Sequence, residues 1–262
     1  MKLSHLAETL IGSEIIKLAA DIREKQAKGE KIYNFTIGDF DPKVFPIPAE
    51  FEQEIITAYK EHLTNYPPAD GIAELRQAVG GFIAEREGLT YDPAKEIVIS
   101  CGGRPIIYAT FRTIVDRGEK VVYATPSWNN NHYTHFLEAE HVVLETKPEN
   151  DFMPTAAELK PLLKGAALLA LCSPQNPTGT AFHQQQLEDI CDLVLAENKS
   201  RSAGEKPLYL MFDQMDWVLT YGETRHHNPV TLRPELRDYT IFMDGMSKAF
   251  AATGVRVGWA LG

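Results

Sequence analysis

Ala166-Ala-Leu-Leu-Ala-Leu-Cys172 runs into Ser173-Pro-Gln-Asn-Pro-Thr-Gly179, and then into His183-Gln-Gln-Gln-Leu-Glu-Asp-Ile-Cys-Asp-Leu-Val-Leu-Ala-Glu-Asn198. An apolar run, a turn built on proline and asparagine, and a stretch with helical spacing make a strand, a loop and a helix. The pattern recurs from about residue 96: Glu96–Ser100 before a helical 105–118, then Lys120–Ala124, His141–Thr146, Pro207–Asp213 and Tyr239–Gly245. Strands alternating with helices in this way predict an α/β fold, a mostly parallel sheet flanked by helices. Ligands of such sheets bind beyond the carboxyl ends of the strands. The residues that follow each strand are therefore the place to look for a site. They are Cys101-Gly-Gly-Arg-Pro105, Thr125-Pro-Ser-Trp128, the Ser173–Gly179 turn, Asp213, and Asp244-Gly-Met-Ser-Lys248.

The 262 residues carry a net charge of −10, with 44% hydrophobic and 24% charged side chains. That composition is ordinary for a soluble domain, and its sign argues against binding to nucleic acid or an anionic membrane surface. Cys101, Cys172 and Cys191 have neither pairing nor metal-ligand spacing, which fits a reducing cytoplasm. Residues 1–30 mix charges with apolar positions and read as one amphipathic helix ending near Gly29, rather than as a signal peptide or a membrane span. No internal repeat or low-complexity tract interrupts the chain.

Gly102, Gly103 and Arg104 stand where a strand turns into a helix, with Pro105 suited to the first helical turn. Free N–H groups at such a turn form an anion site that glycines leave open, while the absence of G-x-G-x-x-G and of a P-loop argues against a dinucleotide or nucleoside triphosphate. Asp213 ends an apolar strand, where a carboxylate needs a cation or a donor. Trp128 can stack on a ring, and Asn176 offers a donor and acceptors at a rigid turn. Lys248 and Arg256 lie in the small, apolar run Asp244–Gly258, and an amine desolvated there could attack a carbonyl. Each feature alone has an ordinary alternative as a turn, a cap or core packing. Together they match one ligand, pyridoxal phosphate, whose carbonyl, ring nitrogen, ring face and phosphate answer Lys248, Asp213, Trp128 and the Gly102–Arg104 turn with Arg256. Ser247 beside Lys248 is no hydrolase pair, because adjacent helical residues do not face each other and no G-x-S-x-G surrounds them. His132, His135 and Glu138 read as a solvated helix face rather than a metal site, and His226-His227 as an exposed loop.

These motifs resemble the class I/II aminotransferases, the aspartate aminotransferase group of fold-type I pyridoxal-phosphate enzymes. The run Gly245–Gly258 is similar to their lysine-attachment signature, Ser173–Gly179 to their asparagine motif, Tyr66–Arg76 to an early tyrosine motif and Ile37–Pro42 to an N-terminal glycine loop, all in the family's order. The resemblance implies an N-terminal arm, 1–45, belonging to a small domain, and a large cofactor-binding domain over 46–262. It implies that Lys248 is the Schiff-base lysine and proton-transfer base. Asn176 would meet the cofactor's phenolic oxygen and the substrate, Asp213 its ring nitrogen, and Trp128 its ring and the substrate. Gly102, Gly103, Arg104, Ser247 and Arg256 would surround the phosphate, and Gly38 the substrate carboxylate. Tyr66 would reach the neighbouring subunit's cofactor, which implies a homodimer with shared sites. The implied reaction moves an amino group between an L-amino acid and a 2-oxo acid in cytoplasmic amino-acid metabolism, and Arg104 suggests aspartate or glutamate. A β-eliminating lyase and an amino-acid-sensing module are the rival readings. Two departures stand out: Asp216 occupies the place of the family's tyrosine, and relatives continue beyond Gly262. The isolated chain is therefore expected to bind cofactor better than it turns over substrate, to expose apolar surface and to dimerise weakly.

Overall fold

Strands β1 (Ile97–Ser100), β2 (Lys120–Thr125), β3 (Glu140–Glu145), β4 (Ala166–Cys172), β5 (Tyr209–Asp213), β6 (Thr240–Gly245) and β7 (Gly258–Leu261) form one sheet in the computed structural model. Residues 2–12 and 14–262 are described, with the side chains of 14–16 excepted. The strand order is β1-β7-β6-β5-β4-β2-β3, parallel throughout except for β7, which runs antiparallel between β1 and β6. The α/β class expected from the strand and helix runs is the class observed.

Alternation along the strands explains why they read as unbroken apolar runs. Val121, Tyr123, Leu168, Ala170, Met211 and Met243 face one core, while Val122, Leu169, Leu171, Leu210, Phe212 and Phe242 face the other. A parallel sheet buried on both faces needs apolar residues at every position. The helices are α1 (His5–Glu8), α2 (Glu14–Ala27), α3 (Ala49–Lys60), α4 (Ala73–Glu87), α5 (Gly103–Ile114), α6 (Asn130–Phe136), α7 (Ala156–Leu159), α8 (Gln184–Ser200), α9 (Pro229–Leu232) and α10 (Met246–Ala249). Helices α5 and α6 cover the first face, through Ile107, Phe111 and Tyr133. Helices α4 and α8 cover the second, through Val79, Ile83, Leu187, Ile190 and Val194. None of the described helices is long and apolar enough to cross a membrane.

The N-terminal stretch is not the single helix expected. Ser4 caps α1 by accepting the Ala7 N–H, and the Thr9 hydroxyl turns back onto the His5 carbonyl at 2.7 Å. Such local bonds compete with helix continuation, and Gly12 just beyond is a poor helix former. Residues 1 and 13 of the stretch lie outside the described residues. Helix α2 then ends at Ala27 with Gly29 at φ +86°, close to the expected boundary. The N-terminal stretch also corrects the reading of His135 as solvated: its Nε2 lies 3.0 Å from the Leu6 carbonyl and 3.4 Å from the Thr9 hydroxyl, which pins α6 to α1.

Candidate active site

Because β1, β2, β4, β5 and β6 are parallel, their carboxyl ends deliver Cys101, Pro126, Ser173, Gln214 and Met246 to one edge of the sheet, and antiparallel β7 begins there. The edge holds a cleft of about 440 Å³, lined by Gly38, Gly103, Arg104, Trp128, Asn176, Asp213, Ser247, Lys248 and Arg256 among others. Those nine expected site residues thus converge. Gly102 flanks the cleft, whereas Tyr66 lies outside it and is fully exposed.

The floor is an anion cradle. Gly102 caps the twelve-residue helix α5 at φ +88° and offers no side-chain hydrogen bond to the first-turn N–H groups. The left-handed backbone favours glycine at 102, and a Cβ there would stand 2.2 Å from Arg256 Nη2 and displace the guanidinium packed on it. Arg256 is anchored by donating to the Thr253 carbonyl at 2.7 Å, with the Cys101 carbonyl at 3.4 Å and the Ser247 hydroxyl at 3.5 Å. A guanidinium beside a helix N-terminus with free amides is suited to a phosphate.

The walls carry the ionisable groups. Asp213 Oδ1 accepts the Met215 N–H at 3.0 Å. Desolvation pushes the Asp213 carboxyl up to about 6; the Met215 N–H opposes the rise and Asp216 adds to it. Asp216 is also raised by burial and is pulled back by the charge of Lys248. The Lys248 ammonium donates to the Gly38 carbonyl, and the Thr253 hydroxyl donates to Asp39 Oδ1 at 2.7 Å, which together tie the N-terminal segment across the cleft. Gln175 donates to the Pro126 carbonyl at 2.6 Å and joins the loops bearing Asn176 and Trp128. The Arg104 guanidinium lies over the Trp128 ring, 5.5 Å from its centroid, as a cation–π pair. Cys172 donates to the Pro174 carbonyl at 3.1 Å, and burial holds its thiol protonated, so it serves as wall rather than nucleophile. A larger depression of about 760 Å³, at the amino ends of β2 and β4 around Lys164, Glu197 and Arg201, contains none of these groups.

Arg23, Ile107, Cys172 and Met215 also line the cleft, and residue patterns did not single them out as site residues. Met215 and Ile107 lie one and two residues beyond the strand-end motifs Asp213-Gln214 and Gly103–Pro105. Arg23 sits on α2, in the stretch read as an amphipathic helix, a reading that singled out none of its charges.

The model of class I and II aminotransferases matches residues 30–262. The chain belongs to this family. It is 31% identical over 257 residues to an aspartate aminotransferase of Streptomyces avermitilis, covering 95% of this chain and 59% of that protein. It is 29% identical over 262 residues to an aspartate/prephenate aminotransferase of Thermus thermophilus, covering 99% and 64%. The structure of the Thermus thermophilus aspartate aminotransferase with maleate superposes at a TM-score of 0.89 and 27% identity, covering 100% of this chain and 65% of that one. The chain thus spans less than two thirds of the length of these aminotransferases.

Enzymes of this family use pyridoxal phosphate, and the cleft fits that group. Arg256 lies against the glycine turn at the start of α5, where a Cβ on Gly102 would run into its guanidinium, so the cradle pairs a cation with a helix N-terminus. Among the described residues the Asp213 carboxylate has one hydrogen-bond partner, the Met215 amide, and its second oxygen would suit a cationic ring nitrogen. Lys248 opens into the same cleft.

A buried polar layer backs Asp213. Gln214 is fully buried; it donates to Glu87 Oε1 at 2.6 Å and accepts from Asn228 Nδ2 at 2.9 Å and from His226 Nε2 at 3.2 Å. His226, expected in an exposed loop, is instead packed on Trp217 at 5.2 Å, and burial lowers it to about 4. Burial raises Glu87 from its ordinary 4.5 to about 7, and its Oε2 has no partner. A carboxyl whose folded value lies above its unfolded one contributes stability fully below the unfolded value and loses it as pH rises through the folded value. Glu87→Gln, which imitates the protonated form and keeps the Gln214 bond, is expected to match the wild type near pH 4 and to exceed it by about 1–3 kcal/mol near pH 8. Denaturant unfolding of the cofactor-free chain at both pH values reads this; a variant less stable near pH 8 would contradict it.

Proposed function

We propose that this chain is the cofactor-binding part of an aminotransferase that moves an amino group between an L-amino acid, aspartate or glutamate foremost, and a 2-oxo acid. The observation that carries the reading is the convergence of Lys248, Asp213 and Arg256 on one cleft at the carboxyl edge of the sheet. When bound, pyridoxal phosphate supplies a carbonyl and an electron-accepting ring. Lys248 provides the amine that holds the carbonyl and then the base that carries the substrate Cα proton. Asp213 sets its charge against the ring nitrogen and so keeps it protonated, which favours the ionised carboxylate. Arg256, Ser247 and the amides of Gly102, Gly103 and Arg104 take the phosphate. Asn176 takes the phenolic oxygen and, with the Gly38 backbone and Trp128, borders the substrate. Asp216, where relatives carry a tyrosine, leaves Asn176 as the phenolic oxygen's hydrogen-bond donor.

In this reading residues 1–45 are the N-terminal arm of a small domain and 46–262 the large domain. Tyr66, exposed and remote from its own cleft, reaches the site of a second copy, so the working form is a cytoplasmic homodimer with shared sites. Arg104 and the relative solved with maleate support a dicarboxylic substrate. The chain loaded with pyridoxal phosphate and given aspartate without an acceptor is expected to release one equivalent of 2-oxo acid per bound cofactor and no ammonia. Ammonia release would identify a lyase instead.

A further inference from the structure

Four cations line the cleft: Arg23, Arg104, Lys248 and Arg256. Three of them are engaged. Arg256 holds carbonyls, Lys248 donates to Gly38, and Arg104 lies on the Trp128 ring. Arg23 makes no hydrogen bond or ion pair among the described residues. The acids flanking Arg23 on α2 are occupied elsewhere, Asp21 by Lys25 at 3.2 Å and Glu24 by Lys28 at 2.7 Å. Positions 19 and 27, one turn to either side of Arg23, are alanines. The carboxylates of the cleft also have other partners: Asp39 the Thr253 hydroxyl, Asp213 the Met215 N–H and Asp216 the charge of Lys248.

Helix α2 is fixed with Arg23 toward the cleft. Ala19 and Ile22 are buried, and Ala19 and Arg23, one turn apart, both line the cavity. The result is an unneutralised fork of N–H donors at the mouth of a cleft whose phosphate cradle already has its own arginine. Guanidinium forks match carboxylates with paired hydrogen bonds. We propose that Arg23 is a specificity-determining residue that binds the side-chain carboxylate of a dicarboxylic amino acid or 2-oxo acid, working with Arg104. The proposal rests on the aminotransferase reading and names the residue through which that site selects acidic substrates.

The test is equilibrium binding of succinate and of butyrate, an unreactive dicarboxylate and its monocarboxylate counterpart, to the chain with and without pyridoxal phosphate. Wild type is expected to prefer succinate, and Arg23→Gln to weaken succinate by about 10- to 100-fold while leaving butyrate and cofactor binding unchanged. Arg23→Lys, which keeps the charge and loses the fork, should fall between. Arg23 is exposed, so the variants should melt with the wild type. Equal affinity of wild type for the two acids, or an equal loss of both in Arg23→Gln, overturns the proposal. Arg23-dependent succinate preference in a chain that takes no cofactor would sink the aminotransferase reading and leave the carboxylate site standing.

Discussion

Lys248→Ala is expected to leave a folded chain to which borohydride fixes no pyridoxal phosphate in the cleft, whereas the wild type gains one cofactor mass on the peptide containing Lys248. The residue stands in the short helix α10, is half-buried, and is held by a single bond to the Gly38 carbonyl, so its truncation removes little packing. The chemistry it loses is total, because no other lysine lines the cavity. An amine that attacks a carbonyl has no substitute in a hydrogen-bonding group. Peptide mass spectrometry after reduction decides the matter: equal labelling of the variant would mean that the cofactor is taken up elsewhere. Absorption of the unreduced samples separates loss of attachment from loss of binding, since the phosphate cradle remains in the variant.

Gly258→Ala carries the second large effect, on stability and on the cradle together. A Cβ at Gly258 would stand 2.7 Å from the Gly102 carbonyl carbon, 2.9 Å from Gly103 N and 3.0 Å from Gly102 Cα. All three are backbone atoms, and the segment bearing them is fixed on one side by the pairing of Ser100 with Gly258 and on the other by α5. Neither side can yield cheaply, so overpacking should cost about 3 kcal/mol and push the helix N-terminus out of line with Arg256. Cofactor affinity is expected to fall by tenfold or more. Gly254→Ala, where a Cβ meets nothing within 4 Å, is the control and should leave stability and cofactor affinity near those of the wild type. A Gly258 variant as stable as that control would show that the cradle is looser than its contacts require.

Much of this was legible in the sequence because strands buried on both faces cannot alternate and so announce themselves, as Ala166–Cys172 does. The residues after them were legible for a related reason: glycine, proline and isolated charges beside apolar runs have few structural uses. The orientation of β7 was not readable, since Gly258–Leu261 carries no sign of which neighbours it will pair with or in which direction. His226 was misjudged because its burial comes from Trp217 and Gln214, which are distant from it in the local pattern. The break between α1 and α2 turns on a threonine hydroxyl bonding back to its own helix, a local competition that composition hides. Arg23 is one of several charges on an amphipathic helix, and only the pairing of its neighbours with one another leaves it available.

The position of β7 also bears on how the molecule is made. As the chain leaves the ribosome, β1 is synthesised ahead of β2 to β6, yet its sheet partner β7 emerges only after all of them, with Ile97 waiting for Leu261. Until then β1 and β6 each present an open hydrogen-bonding edge, while β2, β3, β4, β5 and β6 can already assemble among themselves. Such long-range closure is slow, and exposed edges invite pairing with the wrong chain. Biosynthesis of this protein thus passes through a nascent five-stranded stage with a vulnerable flank, the stage at which a holding chaperone would have most to protect.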